Sequence, residues 1–306
     1  MKARNDFPEQ EMRTELQWAQ AGFVVRPEQA EQGQTLWTNH FHSQSALYFT
    51  SEQVTVAVTN EQKEQVSALL EPRKKRANAL RQQHRQEEKS RRQRKEKLAE
   101  GWKLCRAAQP IQADPPAHMI VLDAETTGLD IYGDNFPDEI LQLSILDGSG
   151  QTLFNSYIKP YAHDIWPGAQ TVNGISPEMV SDAPYLHEVA PQIKGILNGA
   201  VLWVGYNIIG FDRPLLEQAL GHFTHNPQVY DVMLEFAPIY GEWSEKYSDY
   251  RYQSLSVCAD YFEIQFHAHD SLEDARATLS CFQAIQHLRQ LQRLGRPPKG
   301  PEKIER

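Results

Sequence analysis

Two acidic side chains, Asp123 and Glu125, stand two positions apart at the end of the apolar run 119–122. In a β-strand the side chains at i and i+2 point to the same face, so we expect both carboxylates to face one point in space. Like charges held this close repel unless one is protonated or a cation lies between them. Because the preceding residues are too apolar for a strand end exposed on both faces, the pair predicts a divalent-metal site rather than an ordinary surface strand.

A third acidic residue, Asp212, follows the apolar run 201–204, which is typical of a buried strand, after the loop 205–211. Asp is favoured at helix N-termini, and the residues after it predict a helix, so a helix cap is the simpler explanation of Asp212 taken alone. The alternative is that its carboxylate joins that of Asp123.

A fourth acidic residue, Asp274, lies at the start of the last predicted helix. Ser271 is a suitable cap for that helix and acidic residues suit its first turn, so this segment also has a purely structural explanation. His269 favours a chemical role, because it stands five residues before Asp274 on a loop and imidazole is the natural base near neutral pH. His267 is the alternative base.

The elements that would position these residues fall into zones of different composition. The first zone mixes one predicted helix over 11–21 with short predicted strands over 23–25, 35–38, 46–49 and 54–58. The second is rich in Lys, Arg, Gln and Glu, and helix propensity is high between its only breakers, Pro72 and Gly101. We predict a small α+β module of open role at 1–60, a basic helical segment with a Pro-containing linker at 61–116, the main domain at 117–294, and a flexible tail at 295–306.

The main domain alternates apolar runs, which predict strands, with periodic segments, which predict helices. Three strands in succession, followed by a strand set among helices, indicate an α/β domain with a mixed sheet flanked by helices. The predicted strands span 119–124, 139–147, 151–159 and 201–204. The predicted helices span 185–198, 213–220, 231–239, 253–262 and 271–292, with a further helix beginning near Ser176.

The chain of 306 residues has a net charge of -9, and this charge is unevenly distributed. Residues 73–103 hold 13 Lys and Arg against 4 Glu, a local charge of +9, which leaves -18 for the rest of the chain. A basic segment on an acidic body is expected where one part meets polyanions and another concentrates metal-binding carboxylates. A solvated helix or a flexible spacer is an equally good explanation of the basic segment.

The three cysteines are widely spaced and form no Cys-x-x-Cys pair, so neither a disulfide framework nor a structural zinc site is predicted. The charged N-terminus lacks the apolar core of a secretory signal, and no run of 18 apolar residues predicts a membrane span. We therefore expect a cytoplasmic protein that does not contact membranes.

In combination these motifs resemble the DEDDh family of 3′→5′ exonucleases, which includes the epsilon subunit of DNA polymerase III, RNase T and exonuclease I. The resemblance covers roughly residues 118–292. It rests on Asp123-Ala-Glu125-Thr-Thr-Gly, on Asn207 to Asp212, on Tyr230-Asp231, and on His269 five residues before Asp274. Two features depart from the family pattern. Asn173 precedes a glycine where the family more often has His, and the spacing from Asn207 to Asp212 is one residue longer than the commonest form.

The resemblance implies an RNase H-like fold with two Mg²⁺ or Mn²⁺ ions. Asp123 would bridge both ions, Glu125 and Asp274 would complete one site, and Asp212 would serve the other. Hard oxygen ligands agree with these ions rather than with zinc, and two ions about 4 Å apart can clamp the attacking and leaving oxygens of a phosphodiester. His269 would take the proton of the attacking water, and 5′-mononucleotides would be released.

The residues after the first motif form the expected seat of the terminal nucleotide. Gly128 would let backbone N–H groups approach the strand end, and Thr126 and Thr127 would offer hydroxyl groups. Leu129 would either wedge against a base or pack in the core. Asn207 would either contact the substrate or only complete its loop.

The leading hypothesis is a 3′→5′ exonuclease acting on the 3′ ends of single-stranded DNA. An RNA-trimming enzyme of the same family is a close alternative, because the sequence does not fix a contact to the 2′-hydroxyl. A non-catalytic nucleic-acid-binding or partner-recruiting protein is the alternative from another class, although a degraded site would be expected to lose at least one member. No polymerase-sized region is attached, so proofreading would require a separate polymerase or repair partner.

Overall fold

The computed structural model divides the chain into two compact units, with the boundary between Ser90 and Arg91. This boundary falls inside the segment that the sequence assigns to a basic helix and linker. The predicted tail lies outside the described residues, which are 12–37, 45–112, 116–133, 136–223 and 226–294. Within these ranges no helix is long and apolar enough to cross a membrane.

In its described residues, the first unit contains two small antiparallel sheets, one short α-helix and the first part of a long helix. The elements are β1 (Met12–Thr14), α1 (Glu15–Gln20), β2 (Phe23–Val25), β3 (Gln34–Trp37), β4 (Ser45–Thr50) and β5 (Val54–Val56), with sheets in the orders β1-β4-β3 and β2-β5. Helix α1 begins later than predicted because Thr14 and Gln17 form a capping box at its start. Strands β2 to β5 agree with the sequence to within two residues, whereas β1 lies in the segment that was predicted as helical.

A single helix, α2 (Asn60–Ala107), runs for 48 residues through both Pro72 and Gly101. A proline removes one backbone donor and a glycine costs about 1 kcal/mol, and neither ends a helix whose flanking residues are strong helix formers. Its last part belongs to the second unit. There Leu98, Gly101 and Cys105 are buried at helical spacing, so this end of α2 packs as part of the domain rather than forming a spacer.

Gly101 marks the closest contact of α2. A Cβ atom at this position would overlap the Tyr161 ring, which is stacked on Tyr185 and whose hydroxyl lies 2.6 Å from Nδ1 of His187. Because these contacts hold the ring in place, there is no room for even one methyl group. We infer that glycine is required here for close packing and not for backbone conformation.

Gly101→Ala is therefore expected to lower the free energy of unfolding by about 1–3 kcal/mol, because overpacking outweighs the better helix propensity of alanine. Thermal unfolding of the whole chain measures this effect. Gly168→Ala is the matched control, because a Cβ atom there would meet nothing within 4 Å, and it should be neutral or slightly stabilising. An unchanged Tm for Gly101→Ala would contradict the tight contact.

The second unit is built on a mixed sheet of five strands. The strands are β6 (Met119–Thr126), β7 (Ile140–Asp147), β8 (Thr152–Tyr157), β9 (Leu202–Gly205) and β10 (Gln228–Asp231), in the order β10-β9-β6-β7-β8. Strand β7 is antiparallel to both of its neighbours, whereas β6, β9 and β10 are parallel to one another. The predicted RNase H-like mixed sheet flanked by helices is confirmed, and β10 is a short edge strand that the sequence did not indicate.

Helices cover both faces of this sheet. They are α3 (Pro167–Asn173), α4 (Leu186–Gly199), α5 (Asp212–Leu220), α6 (Val232–Tyr240), α7 (Leu255–Tyr261) and α8 (Ser271–Arg293), and a hairpin of β11 (Trp243–Ser244) and β12 (Asp249–Tyr250) lies between α6 and α7 in the chain. The predicted helix beginning near Ser176 is wrong. The helix lies earlier, because Pro167 suits its first turn and Gly174 ends it at φ 69°, and residues 176–183 form only short turns.

Alternation along β6 divides the core into two layers. Ile120 and Leu122 pack with residues of α2, α4 and α5, whereas Val121 packs with residues of α6, α7 and α8. Because successive side chains of a strand point to opposite faces, Asp123 and Glu125 continue the face of Val121. The fold therefore turns both carboxylates toward the side of the sheet that α8 covers.

Candidate metal centre and active site

The carboxyl end of β6 extends beyond its parallel neighbour. Strand β9 pairs with β6 only as far as Val121, so the last residues of β6 have no partner from β9 on that side. Asp123 and Glu125 lie in this extension and are half-buried. In open sheets of this kind, ligands bind in the crevice outside the carboxyl ends of the strands where the strand order reverses, and this is where β6 ends.

Asp212 reaches the same place from α5. It is the first residue of that helix and is buried, with 3% of its surface exposed. Its carboxylate accepts a hydrogen bond from the backbone N–H of Ala124, which lies between the two acidic residues of β6. The N-cap position is Phe211 and has no side-chain cap, so the helix-cap explanation of Asp212 is wrong.

The loop that carries Asp212 is held by Asp231, whose role the sequence did not indicate. One carboxylate oxygen of Asp231 accepts the backbone N–H groups of Asn207 at 3.0 Å and Met233 at 3.1 Å, and the other accepts that of Ile209 at 3.1 Å. Asp231 ends β10 and is 3% exposed. An acidic residue at the end of a parallel strand was the available signal, but strand β10 itself was missed.

Asp274 and His269 approach from the start of α8. The N-cap of this helix is Asp270, which accepts the N–H groups of Leu272 and Glu273, so the predicted cap at Ser271 is wrong. His269 has a left-handed backbone at φ 73°, and its N–H donates to Oδ2 of Asp274 at 3.1 Å. This contact explains why a residue five positions before Asp274 lies beside it.

The imidazole of His269, a carboxylate oxygen of Glu125 and one of Asp274 lie within 4.8 Å of one another. In the described part of the chain, this cluster of three potential metal ligands includes His269 and not His267. The charges of Asp212, Asp274 and Glu125 all act on Asp123. The structure therefore brings together all five residues that the sequence selected from three distant segments.

Burial and mutual repulsion raise the pKa of every carboxyl in this group. Burial first, and then the charges of Asp212 and Asp274, raise the pKa of Asp123 well above its usual range. Burial raises the pKa of Glu125 to about 7 and that of Asp212 to about 7. Burial raises the pKa of Asp274 to about 6, against the opposing hydrogen bond from His269. Without a bound cation, these carboxylates therefore destabilise one another and take up protons at a higher pH than isolated carboxylates do.

Two observations test whether a divalent cation fits this group. Oδ1 of Asp274 is buried and has no hydrogen-bond partner among the described residues, and a buried polar atom of this kind needs a partner. The raised pKa values indicate negative charge without compensation, and a bound cation would supply both the missing partner and the missing charge. The residues present fit a divalent metal.

The predicted nucleotide seat is a tight loop after β6. Thr126 and Thr127 are buried, and their hydroxyl groups donate to the Gly128 carbonyl at 2.6 Å and to Oδ1 of Asp138 at 2.7 Å. These hydroxyl protons are used inside the loop, which differs from the expectation that they would be offered to a substrate. A Cβ atom at Gly128 would lie 2.5 Å from the Asp138 carboxylate, so glycine lets Asp138 hold the loop.

Leu129 is 84% exposed, so the alternative that it packs in the core is wrong. Asn207 adopts φ 61°, and its backbone carbonyl accepts the N–H groups of Gly210 and Phe211, so it shapes the loop before Asp212. Asn173, which stands where the resembled family more often has His, donates to the Thr126 carbonyl at 3.2 Å and hydrogen-bonds the Glu125 carboxylate.

Residues 120–282, more than half of the chain, match the family model for exonucleases of the RNase T type. The chain belongs to this exonuclease family. The match begins in β6 and ends in α8, so it contains all five residues of the candidate metal centre.

Similar proteins of this exonuclease family include both DNA polymerase subunits and RNA exonucleases. The chain is 29% identical over 191 residues to DNA polymerase III PolC-type of Caldanaerobacter subterraneus subsp. tengcongensis, covering 60% of this chain and 12% of that protein. It is 25% identical over 170 residues to RNA exonuclease 4 of Mycosarcoma maydis, covering 55% and 42%. It is 35% identical over 94 residues to DNA polymerase III subunit epsilon of Pasteurella multocida, covering 29% and 37%.

The chain thus spans less than half the length of each of these three relatives. Among solved structures, exonuclease X in complex with 5′ overhanging duplex DNA is 19% identical with a TM-score of 0.40, covering 56% of this chain and 92% of that one. A product-bound structure of exonuclease I is 17% identical with a TM-score of 0.45, covering 59% and 46%.

Proposed function

We propose that this chain is a metal-dependent 3′→5′ exonuclease that hydrolyses phosphodiester bonds at nucleic-acid 3′ ends and releases 5′-mononucleotides, with single-stranded DNA as its substrate. The observation that carries the proposal is the convergence of Asp123, Glu125, Asp212 and Asp274 with the imidazole of His269 at the end of one strand. Membership of the exonuclease family supports the same reaction class.

Asp123, Glu125, Asp212 and Asp274 are the residues that would hold two Mg²⁺ or Mn²⁺ ions. Carboxylate oxygens are hard ligands, which suit these ions. When bound, the ions would supply charge stabilisation at the phosphate and a water of lowered pKa. The carboxylates themselves would orient the reacting groups, because Asp212 is fixed by Ala124 N–H and Asp274 by His269 N–H.

His269 is the residue that would accept the proton of the attacking water. Its side chain is exposed to solvent, yet its backbone is tied to Asp274, so the imidazole can reach the reacting water and release the proton to bulk solvent. A neutral imidazole is suited to this role near neutral pH.

The terminal nucleotide would sit against the loop of Thr126, Thr127, Gly128 and Leu129. The exposed Leu129 side chain supports a wedge against a terminal base, because covering a base would remove its apolar surface from water, which is favourable. Asp138 supports this loop, because its carboxylate accepts the Thr127 hydroxyl at 2.7 Å and the Asp130 N–H at 2.8 Å.

The same site could act on RNA, because the relatives include RNA exonuclease 4 as well as DNA polymerase III proteins. The resemblance to DNA polymerase III subunits supports a polymerase or a repair protein as the protein partner.

Incubation of the whole chain with end-labelled single-stranded DNA, duplex DNA and RNA, each with Mg²⁺ or with EDTA, tests this proposal. We expect stepwise shortening of 5′-labelled single-stranded DNA with Mg²⁺, release of mononucleotides, and no reaction with EDTA. Faster loss of RNA would favour the RNA-trimming alternative. Endonucleolytic products, or equal activity in EDTA, would contradict the proposal.

His269→Ala is expected to lower kcat by about 10²–10⁴-fold, because the proton acceptor is lost, while binding of Mn²⁺ and of a single strand changes little. His267→Ala is the matched control, since it removes an exposed imidazole two residues away that does not join the cluster of Glu125 and Asp274. If His267→Ala had the larger effect on kcat, the assignment of the base would have to be exchanged.

A further inference from the structure

A pocket of about 630 Å³ lies on the outer face of α5 in the second unit, apart from the metal centre. Pro214, Glu217 and Gln218 of α5 line one side, and Arg106, Tyr132 and Lys194 line the rest. The α5 residues face outward, whereas Leu215, Leu216 and Ala219 of the same helix are buried in the core. At this volume the pocket can hold part of a ligand much larger than a water molecule.

Among the described residues, neither cation of the pocket, Arg106 or Lys194, forms an ion pair with a carboxylate. Nζ of Lys194 donates to the backbone carbonyls of Cys105, Arg106 and Ala108 at 3.4, 3.1 and 2.9 Å. Nη2 of Arg106 donates to the backbone carbonyl of Gln218 at 2.7 Å. Both side chains are therefore positioned by neutral acceptors. The three N–H groups of Lys194 are used by these carbonyls, so Lys194 contributes positive charge, whereas Arg106 has further N–H groups that can donate to a ligand.

The acidic residue of the pocket is already paired. Glu217 accepts Nε of Arg213 at 2.8 Å, one turn earlier on α5. Burial lowers the pKa of Lys194 below its usual range, because it removes part of the water around the ammonium group. An anion in the pocket would restore a favourable environment for that charge.

Tyr132 supplies an aromatic surface at the rim. It is 72% exposed and follows the loop of Thr126, Thr127, Gly128 and Leu129 by three residues. Helix α5 connects the two places as well, because it begins at Asp212 in the metal centre and its outer face lines the pocket. The pocket is thus joined to the candidate active site by two separate elements.

We propose that this pocket binds the phosphate backbone of the substrate strand a few nucleotides upstream of its 3′ end, with Tyr132 stacking on an unpaired base. This inference rests on the proposed exonuclease function. Cationic side chains that track the backbone, together with an exposed aromatic ring, are the usual means of holding a single strand without sequence preference. Double-stranded nucleic acid would not offer a base face to Tyr132.

The test compares a dinucleotide with a single strand of about 20 nucleotides, which exceeds the roughly 4–16 nucleotides that such grooves cover. Tyr132→Ala and Arg106→Gln are made in the whole chain. For the long strand we expect KM to rise roughly 5- to 100-fold with Tyr132→Ala, since stacking contributes about 1–3 kcal/mol per base. With Arg106→Gln we expect the slope of log Kd against the logarithm of the salt concentration to fall by about one, which corresponds to one phosphate contact.

In this proposal the pocket contacts nucleotides upstream of those that a dinucleotide offers, so the KM and kcat of both variants for the dinucleotide should stay near the wild-type values. Tyr247→Ala and Lys246→Gln are the matched controls, because Tyr247 is 71% exposed and Lys246 lies 4.8 Å from its ring, on the hairpin of β11 and β12. Lys194 is left unchanged, because it caps the carbonyls at the end of α2.

Unchanged KM for the long strand in both variants would overturn the pocket while leaving the exonuclease proposal intact. An equal loss on the dinucleotide would also overturn it, since the effect would then come from the metal centre or the fold. If the wild-type chain hydrolysed neither substrate, the proposed function itself would fail. Should Arg106→Gln unfold, Tyr132→Ala still decides, because its exposed ring contributes little to the core.

Discussion

Asp123→Asn is expected to lower the rate of nucleic-acid hydrolysis by about 10³-fold or more, because metal-ion stabilisation of a phosphoryl transition state is worth several kcal/mol and each 1.36 kcal/mol is tenfold in rate. Asp123 stands at the centre of the group, since the charges of Asp212, Asp274 and Glu125 all act on it. Replacing its carboxylate by an amide removes a ligand without changing the volume of the side chain.

The same variant is expected to be at least as stable as the wild-type protein when metal is absent. Its carboxyl group is destabilising in the folded state, because burial and neighbouring charges raise its pKa. Loss of activity combined with an equal or higher Tm in EDTA would therefore separate a functional role from a structural one. Assays of hydrolysis with Mg²⁺ and thermal unfolding with EDTA measure the two effects.

Asp182→Asn is the matched control, because it makes the same change at an exposed position outside the group. It should leave both hydrolysis and stability near the wild-type values. Full activity in Asp123→Asn would refute the assignment of the metal centre. A large fall in its Tm would indicate instead that Asp123 is needed for folding.

The second large effect is expected in the pH dependence of stability. A carboxyl group whose pKa is higher in the folded than in the unfolded protein contributes stability that is present below the unfolded-state pKa and is lost as pH rises through the folded-state pKa. The model-compound values are 3.8 for Asp and 4.5 for Glu, and the folded-state values are about 6 for Asp274 and about 7 for Glu125 and Asp212. In EDTA, the free energy of unfolding should therefore fall as pH rises from the model-compound values to the folded-state values.

Excess Mn²⁺ is expected to reverse this slope. Metal ligands must be deprotonated, so binding strengthens as pH rises, and a ligand that binds only the folded state stabilises it by about 2.7 kcal/mol at 100 times its Kd. For a domain of this size each kcal/mol shifts Tm by about 2–4 °C. Tm measured against pH with EDTA and with Mn²⁺ should thus give curves that diverge above neutral pH.

Asp123→Asn serves as the control for this experiment, because it should flatten the EDTA curve and reduce the gain from Mn²⁺. Calorimetric titration of the wild-type protein with Mn²⁺ should report two bound ions. Superimposable curves with EDTA and with Mn²⁺ would show that the group binds no cation, and would favour the non-catalytic alternative.

The parts of the site that could be predicted from the sequence are those set by local geometry. Asp123 and Glu125 share a face because they alternate on one strand, and His269 lies beside Asp274 because both belong to the start of one helix. The mixed sheet followed from the order of strands and helices. That Asp212 joins them could be inferred only from the resemblance, since its position at a helix N-terminus had a sufficient local explanation.

The parts that could not be predicted depend on contacts between distant segments. Asp231 holds the Asn207 loop from 24 residues away, and Asp138 fixes Thr127 from 11 residues away. No local pattern distinguishes such a carboxylate from an exposed one. Strand β10 was missed because it is a short edge strand, and the helix expected near Ser176 was displaced because Gly174 ends the preceding helix. The catalytic roles and the location in the cell stay predictions.

The packing of Gly101 against Tyr161 determines where a shorter fragment of this protein should begin. The match to the exonuclease family model starts at residue 120, yet the folded unit starts at Arg91. A recombinant fragment designed from the family boundaries would leave the Tyr161 ring and the apolar side chains around Cys105 facing water. We expect such a fragment to be poorly soluble because of where it begins. A fragment that keeps the last turns of α2 should fold and is the better choice for crystallisation.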